Sequence, residues 1–179
     1  MMALMTTRFI LVTGGTRSGK SSFAQDLAEA HNGRKAFIAT AEPLDREMKE
    51  RITRHRNERP AGWDTIEEPL HLAKTVQKCG EAYDVLLIDC LTLWISNLLV
   101  NRSMNEKAIL KKISALVASC RKTPSRVIMV TNELGMGIVP ANRLSRLYRD
   151  LVGKANQQVA AEADEVYFLV SGIPMKLKG

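Results

Sequence analysis

The chain is predicted to adopt an α/β fold in which helices flank a mostly parallel central sheet. Strand-like apolar runs alternate with helical stretches along all 179 residues, the pattern of parallel sheets that are covered on both faces. The run from Val85 to Cys90 is almost continuously apolar, as expected for a strand at the buried centre of such a sheet. Since no linker divides the chain, residues 1–179 are predicted to form a single domain.

Hydrophobic spacing places the individual elements. Short apolar runs indicate strands, and apolar residues three and four positions apart, such as Phe23, Ala24, Leu27 and Ala28, indicate helices. The expected strands are residues 8–13, 35–40, 63–67, 85–90, 126–131, 165–170 and 173–178. The expected helices are residues 18–30, 45–58, 70–79, 92–100 and 105–121, together with a long helix whose apolar stripe is Leu144, Leu147, Leu151, Ala155 and Val159.

Composition narrows the class of protein. The net charge of +7 is spread along the chain, and a small anionic substrate explains it at least as well as a nucleic acid. The three cysteines lack C-x-x-C spacing, which argues against disulfides or zinc and fits a reducing cytoplasm. Apolar stretches are of strand length, and no basic region precedes the apolar start. We expect a cytoplasmic protein without a membrane span, a signal peptide or a nucleic-acid partner.

A phosphate-binding loop follows the first predicted strand. The segment GGTRSGKS matches G-x-x-x-x-G-K-[ST] between a strand and a helix, as the motif requires. Glycines let backbone N–H groups converge on phosphate oxygens, and the helix adds the positive end of its dipole. Lys20 is expected to contact the β- and γ-phosphates, and the Ser21 hydroxyl to bind Mg²⁺. The loop residues are Gly14, Gly15, Thr16, Arg17, Ser18, Gly19, Lys20 and Ser21.

Asp89 closes the apolar run VLLID. A carboxylate at the end of a buried strand, paired with a phosphate loop, typically holds Mg²⁺ directly or through water. The alternative is that Asp89 caps the helix that starts just after it. Both roles are compatible, and the strand type and position favour the Mg²⁺ role.

The segment from Asp45 to Pro60 is rich in arginine and carries a histidine. On a helix, Arg51, His55 and Arg59 would lie on one side, at i, i+4 and i+8. Guanidinium groups suit phosphate recognition, and neighbouring cations disfavour a protonated histidine, which leaves a nitrogen free to attack phosphorus. From spacing alone, an exposed basic helix face with a bystander histidine remains the favoured interpretation.

Further polar residues follow the predicted strand that ends near Thr131. Asn132 and Glu133 would lie at the carboxyl edge, where ligands bind in such sheets. The loop GMGIVP after them is either a substrate-facing loop or a long connection. Arg143, Arg146 and Arg149 form a basic stripe that is typical of a solvated face or a subunit contact.

With these motifs in view, the chain resembles the bifunctional adenosylcobinamide kinase / adenosylcobinamide-phosphate guanylyltransferase family of cobalamin biosynthesis. The resemblance runs nearly end to end. It includes GGTRSGKS, the block H-R-x-x-R-P-x-x-W, the run LLIDCLTLWISNLL and the stretch NELGMGIVP. The phosphate loop is shared by many families, whereas the histidine block together with NE-x-GMGIVP is far more specific.

The resemblance implies two reactions. ATP or GTP phosphorylates the hydroxyl on the aminopropanol arm of adenosylcobinamide; GTP then transfers GMP to His55, and the phosphorylated cobinamide takes it to give adenosylcobinamide-GDP. It also implies a RecA-like P-loop fold, homotrimers and Mg²⁺ held by Ser21 and Asp89, with Lys20 and His55 as catalytic residues. Beyond the loop, the implied nucleotide-binding residues are Thr40, Ala41, Glu42, Arg56, Asn57, Glu58, Arg59, Glu67 and Asp89.

Two other functions stay open from the residues themselves. One is a P-loop kinase of small molecules without nucleotidyl transfer, in which His55 is a bystander. The other is a nucleotide-switched regulatory protein, against which stands the absence of an N-K-x-D guanine-recognition motif.

Overall fold

A seven-stranded sheet forms the centre of the part of the chain that the structure describes. The computed structural model describes residues 8–57 and 61–179, without the side chains of Glu47, Arg51, His55 and Asn57. The strands are β1 (Phe9–Gly14), β2 (Lys35–Ala39), β3 (Asp64–Glu67), β4 (Val85–Asp89), β5 (Arg126–Val130), β6 (Glu165–Val170) and β7 (Ile173–Lys178). They lie in the order β3-β2-β4-β5-β1-β6-β7. The first six strands run parallel, and β7 pairs antiparallel with β6.

Helices cover both faces of this sheet. They are α1 (Lys20–Glu29), α2 (Arg46–Asn57), α3 (Leu72–Cys79), α4 (Leu91–Ser96), α5 (Glu106–Lys122) and α6 (Arg143–Glu162). One core cluster joins alternate strand residues such as Leu11 and Ile88 to α3, α4, α5 and α6. A smaller cluster joins the opposite strand faces, including Val12 and Leu87, to α1. The predicted two-sided α/β arrangement is therefore confirmed.

Apart from the helix after β4, the strand and helix boundaries agree with the expected ones to within two residues. The main difference lies after β4, where one helix was expected over residues 92–100. There α4 ends at Ser96, and the chain continues as a π-helical turn from Asn97 to Asn101. The longer turn changes which side chains face inward, and both Asn97 and Leu98 are buried.

Polar side chains fix several element ends. Asp45 accepts a hydrogen bond from the Met48 N–H at 2.7 Å and so caps the N-terminus of α2. Asp164 accepts hydrogen bonds from the backbone N–H groups of Arg8 and Phe9, each at 2.9 Å, and so ties the start of β1 to the end of α6. Within the described ranges, no helix is both long and apolar enough to cross a membrane.

Candidate active site

The register of the sheet brings the predicted site residues to one edge. Glu67 of β3 is level with Ala39 of β2, which is level with Asp89 of β4. Across β5, Val130 is level with both Asp89 and Val12 of β1. These residues end or nearly end their parallel strands, so the segments that follow them meet at one carboxyl edge. Asp89 is two strand spacings, about 10 Å, from both β1 and β3.

The phosphate loop leaves this edge immediately after β1. Gly14 has φ +150°, and a Cβ added there would lie 2.5 Å from the Leu169 carbonyl oxygen of β6. Only glycine therefore fits where the loop begins. Arg17 and Gly19 have φ values of +58° and +92°, which fold the chain back before α1 begins at Lys20. The predicted strand–loop–helix unit is confirmed by this geometry.

Lys20 points back into its own loop. It is buried, and its Nζ donates hydrogen bonds to the Gly15 carbonyl oxygen at 2.5 Å and to Ser18 Oγ at 3.4 Å. An ammonium group in this position lies among the backbone groups that the motif predicts will surround phosphate.

Ser21 and Asp89 meet directly. The Ser21 hydroxyl donates to Asp89 Oδ2 at 2.8 Å, so the two residues expected to hold a metal place two oxygen atoms side by side. The capping alternative for Asp89 is not what the structure has, because α4 begins at Leu91 and its N-cap residue is Cys90. In the described part of the chain, no cluster of three or more His, Cys, Asp or Glu side chains could hold a metal by protein ligands alone.

Cys90 lies beside this pair as a neutral thiol. Its burial, reinforced by the charge of Asp89, raises the pKa of the thiol to about 11. The Sγ atom is 3.1 Å from the Thr92 hydroxyl, with which it shares a hydrogen bond. At neutral pH the thiol therefore adds no negative charge next to Asp89.

A cavity of about 730 Å³ opens over the phosphate loop. The loop and Asp89 form one wall. Helix α2 contributes Met48, Glu50, Ile52 and Arg54 to the lining. The helix that carries the predicted histidine therefore borders the same space as the phosphate loop. The volume falls within the range of ordinary small-ligand pockets, about 300–1,000 Å³.

The predicted site residues divide into three groups around this cavity. The lining includes Thr16, Arg17, Ser18, Gly19, Lys20, Ser21, Ala41, Glu67 and Asp89. Gly14, Gly15, Thr40, Glu42 and Arg56 are described but do not line it. Glu58 and Arg59 lie outside the described residues, as do the side chains of Arg51, His55 and Asn57. The expected arginine–histidine face of α2 thus stays a prediction.

Arg56 and Glu67, both predicted to bind nucleotide, form an ion pair with each other. The pair joins the last turn of α2 to the end of β3. Because both side chains are about half exposed, we expect this ion pair to position the end of α2 and to contribute little to stability.

Threonine 40 is fully buried and ties β2 to the peptide after Asp89. Its hydroxyl donates to the Cys90 carbonyl at 2.8 Å and accepts from the Cys90 N–H at 2.9 Å. Thr40 is therefore a structural bridge, whereas the next residue, Ala41, borders the cavity.

Several cavity residues were not singled out from the sequence. Arg54 brings a cation to the cavity from α2, and Phe37, Leu93 and Val130 add apolar lining. The sequence could not single out Arg54, because nothing in a basic helix indicates which of its arginines faces a cavity. The apolar residues have the pattern of ordinary core positions.

Asn132 lines the cavity at the end of β5, as its carboxyl-edge position predicted. Its side-chain amide donates to Thr92 Oγ1 at 3.0 Å, and its backbone carbonyl accepts from the Asn156 side-chain amide of α6 at 3.0 Å. The loop that follows presents Met136, 80% exposed, and Ile138, 96% exposed. In the basic stripe, Arg146 donates to the carbonyls of Pro140 and Ala141 and closes this loop against α6.

The sheet and the loop define the chain as a P-loop nucleotide-binding protein of the RecA-like type. It is similar in structure to the RadB recombinase, with a TM-score of 0.50, 12% identity and coverage of 90% of this chain and 74% of that one. It is also similar to an ATPase of a bacterial type III secretion system, with a TM-score of 0.54, 10% identity and coverage of 91% and 51%. At such low identities the likeness concerns the fold alone.

Sequence comparison identifies the family. The model described as "Cobinamide kinase / cobinamide phosphate guanyltransferase" matches residues 10–177. The chain is 43% identical to the bifunctional adenosylcobalamin biosynthesis protein CobU of Escherichia coli K12, over 94% of this chain and 99% of that protein. It is 45% identical to CobP of Pseudomonas aeruginosa, which has the same description, over 94% and 96%. The chain therefore belongs to the cobinamide kinase / cobinamide phosphate guanyltransferase family.

Proposed function

We propose that this protein phosphorylates adenosylcobinamide and then converts the product to adenosylcobinamide-GDP through a guanylyl group carried on His55. The observation that carries the proposal is the shared cavity. The phosphate loop forms one wall, and residues 48, 50, 52 and 54 of the histidine-bearing helix contribute to another. A nucleotide held by the loop would thus lie beside the helix that supplies the nucleophile.

The kinase step needs positioning and charge neutralisation more than covalent chemistry. In our proposal the loop N–H groups hold the phosphates of ATP or GTP, and Lys20 turns from the Gly15 carbonyl to the β- and γ-phosphates. The cobinamide hydroxyl attacks the γ-phosphorus, the bond between that phosphorus and the β,γ-bridging oxygen breaks, and nucleoside diphosphate leaves.

The residues fit a magnesium ion. Mg²⁺ prefers oxygen ligands and typically binds through one or two carboxylates together with substrate phosphates. The Ser21 hydroxyl and the Asp89 carboxylate, 2.8 Å apart, offer two such oxygens at the loop. When bound, the ion would neutralise phosphate charge.

The transferase step proceeds in two displacements. A ring nitrogen of His55 attacks the α-phosphorus of GTP, a phosphorus–nitrogen bond forms, and pyrophosphate leaves. The phosphate of adenosylcobinamide phosphate then attacks the same phosphorus, the phosphorus–nitrogen bond breaks, and His55 is regenerated. We assign phosphate or nucleotide contacts to Arg54 as well as to Ala41, Asn57, Glu58 and Arg59.

We further propose a cytoplasmic homotrimer in which the loop after β5 faces the cobinamide. The exposed apolar side chains of Met136, Ile138 and Val139 support an apolar contact there. Light scattering on the purified protein tests the assembly: a mass three times that of the 19.9 kDa chain supports it, and a monomer or dimer contradicts it.

The transferase proposal is tested with GTP labelled at the α- or the γ-phosphate. We expect only α-label to remain on the protein, in a form stable to alkali and labile to acid. His55→Ala should abolish labelling and retain kinase activity on adenosylcobinamide. His71→Ala is the matched control, because His71 precedes α3 without a side-chain capping bond and does not line the cavity. If the wild type had full kinase activity but retained no α-label, the transferase proposal would be contradicted, and the result would support a small-molecule kinase without nucleotidyl transfer.

A further inference from the structure

The carboxylate of Glu42 is held from both sides by the end of the π-helical turn. Asn101 Nδ2 donates to Glu42 Oε2 at 2.9 Å, and an Arg102 guanidinium nitrogen donates to Oε1 at 2.8 Å. The Glu42 side chain is only 14% exposed. We name these three residues the Glu42 clamp. A largely buried carboxylate with a donor on each oxygen is well determined in orientation.

The clamp is anchored in the interior of the protein. Asn97, the buried first residue of the turn, lies four positions before Asn101, and its Oδ1 accepts a 3.4 Å hydrogen bond from the Asn101 side-chain amide. Asn97 Nδ2 donates to the carbonyls of Thr40, at 2.7 Å, and Pro69, at 3.2 Å. The five-residue turn places Asn97 and Asn101 toward the same segment, and π-helical turns often occur at functional sites.

The held segment leads directly to α2. Glu42 is followed by Pro43 and Leu44, and Asp45 then caps the helix that carries His55. The C-terminal end of α2 is held separately by the Arg56–Glu67 pair. The clamp therefore restrains the entry to the helix, and its position governs where the helix lies relative to the phosphate loop.

Glu42 itself is not arranged to touch the nucleotide. Of the segment Thr40 to Glu42, only Ala41 lines the cavity. Both Glu42 oxygens already accept hydrogen bonds from the protein. Charge gives a further reason, because the Glu42 carboxylate and the nucleotide phosphates are both negative and would repel each other.

We propose that Asn101 and Arg102 are positioning residues for guanylyl transfer, acting through Glu42 to hold the entry of the His55 helix. This inference rests on the proposed function of His55. Kinase chemistry depends on Lys20, Ser21 and Asp89, which lie on α1 and β4, and the hydrogen bonds from Lys20 to Gly15 and from Ser21 to Asp89 do not involve the clamp. The clamp thus separates the two reactions: loosening it misplaces the histidine and leaves the phosphate loop intact.

The test compares initial rates of His55 labelling by α-labelled GTP with phosphorylation of adenosylcobinamide by γ-labelled ATP. Arg102→Ala and Arg102→Glu should slow labelling by up to about a hundredfold at saturating GTP, which is what a 1 Å misplacement can cost. The kinase kcat should stay within about threefold of wild type, which also shows that the variants fold. Lys154→Ala removes another exposed pair, Lys154–Glu106, and should change neither rate by more than about twofold.

A charge swap distinguishes positioning from nucleotide contact. Glu42→Arg alone should slow labelling, and Glu42→Arg combined with Arg102→Glu should recover much of the rate. A double variant that stays as slow as Glu42→Arg, with a raised KM for GTP, would show direct nucleotide contact and overturn the inference. Equal labelling of wild type and Arg102→Glu, or equal loss of both activities, would overturn it too. A wild type without label at His55 refutes the proposed function, and the inference with it.

Discussion

Replacing Gly14 by alanine should destabilise the protein strongly, whereas the same change at Gly15 should not. The added Cβ at Gly14 would lie 2.5 Å from the Leu169 carbonyl oxygen and 2.8 Å from Ser18 Oγ. Carbon–oxygen contacts between strands are normally about 3.3–3.6 Å, so the first overlap is about 0.8 Å. The atom it meets belongs to the backbone of β6, which cannot rotate away as a flexible side chain would.

The magnitude follows from two costs. Overpacking of this kind costs about 1–3 kcal/mol, and an alanine held at φ +150° costs about 1–3 kcal/mol more. We expect a loss on the order of 3 kcal/mol, which lowers the Tm by about 6–12 °C in a chain of this size. At Gly15, by contrast, nothing lies within 4 Å of an added Cβ.

Thermal unfolding without nucleotide measures this difference. Nucleotide is omitted because binding would add its own stabilisation to the Tm. Gly15→Ala should remain within about 2 °C of wild type, the effect of a change below about 0.5 kcal/mol. Equal Tm values for Gly14→Ala and Gly15→Ala would refute the close approach of the phosphate loop to β6.

Three further perturbations test other parts of the structure. Lys20→Ala should lower the kinase kcat about 10²–10³-fold without unfolding, as loss of one charge-stabilising donor does; a rate near wild type in a steady-state assay would contradict its role. Partial burial opposes ionisation of Asp164, but hydrogen bonds from the Phe9 N–H and other donors outweigh it and lower its pKa. The stabilisation by Asp164 is then present above the unfolded-state pKa of about 3.9 and is lost as the pH falls below it. In urea titrations, Asp164→Asn should lower the free energy of unfolding by about 1–2 kcal/mol at pH 7 and by much less at pH 3. Burial and the charge of Asp89 raise the pKa of Cys90 to about 11. Native protein at pH 7.5 should therefore resist alkylation of Cys90 by iodoacetamide. Rapid modification of Cys90, measured by peptide mass spectrometry, would contradict the buried position of the thiol.

Local patterns predicted most of the secondary structure because each element has its own hydrophobic period. The order of the strands was not predictable in the same way. Placing β5 between β1 and β4 depends on long-range pairing, and no local feature of the run from Arg126 to Val130 encodes which neighbours it takes. Yet that order sets the separation of the phosphate loop from Asp89.

The site was predictable where a motif carries its own chemistry. The spacing of Lys20 and Ser21 identified the loop, and the apolar run before Asp89 identified its partner. The Glu42 clamp was missed because Asn101 and Arg102 lie 59 and 60 residues further along the chain. They lie just beyond the helix expected over residues 92–100, and a π-helical turn has no distinct apolar period that would have extended it.

The central claim is that His55 carries a guanylyl group, and one measurement tests it most directly. Purified protein is incubated with GTP and Mg²⁺ without cobinamide, digested at alkaline pH, and mapped by mass spectrometry. The account predicts one guanylyl group per labelled chain, located on His55 and removed by adenosylcobinamide phosphate with formation of adenosylcobinamide-GDP. Attachment at another residue, or an adduct that adenosylcobinamide phosphate does not discharge, would contradict it.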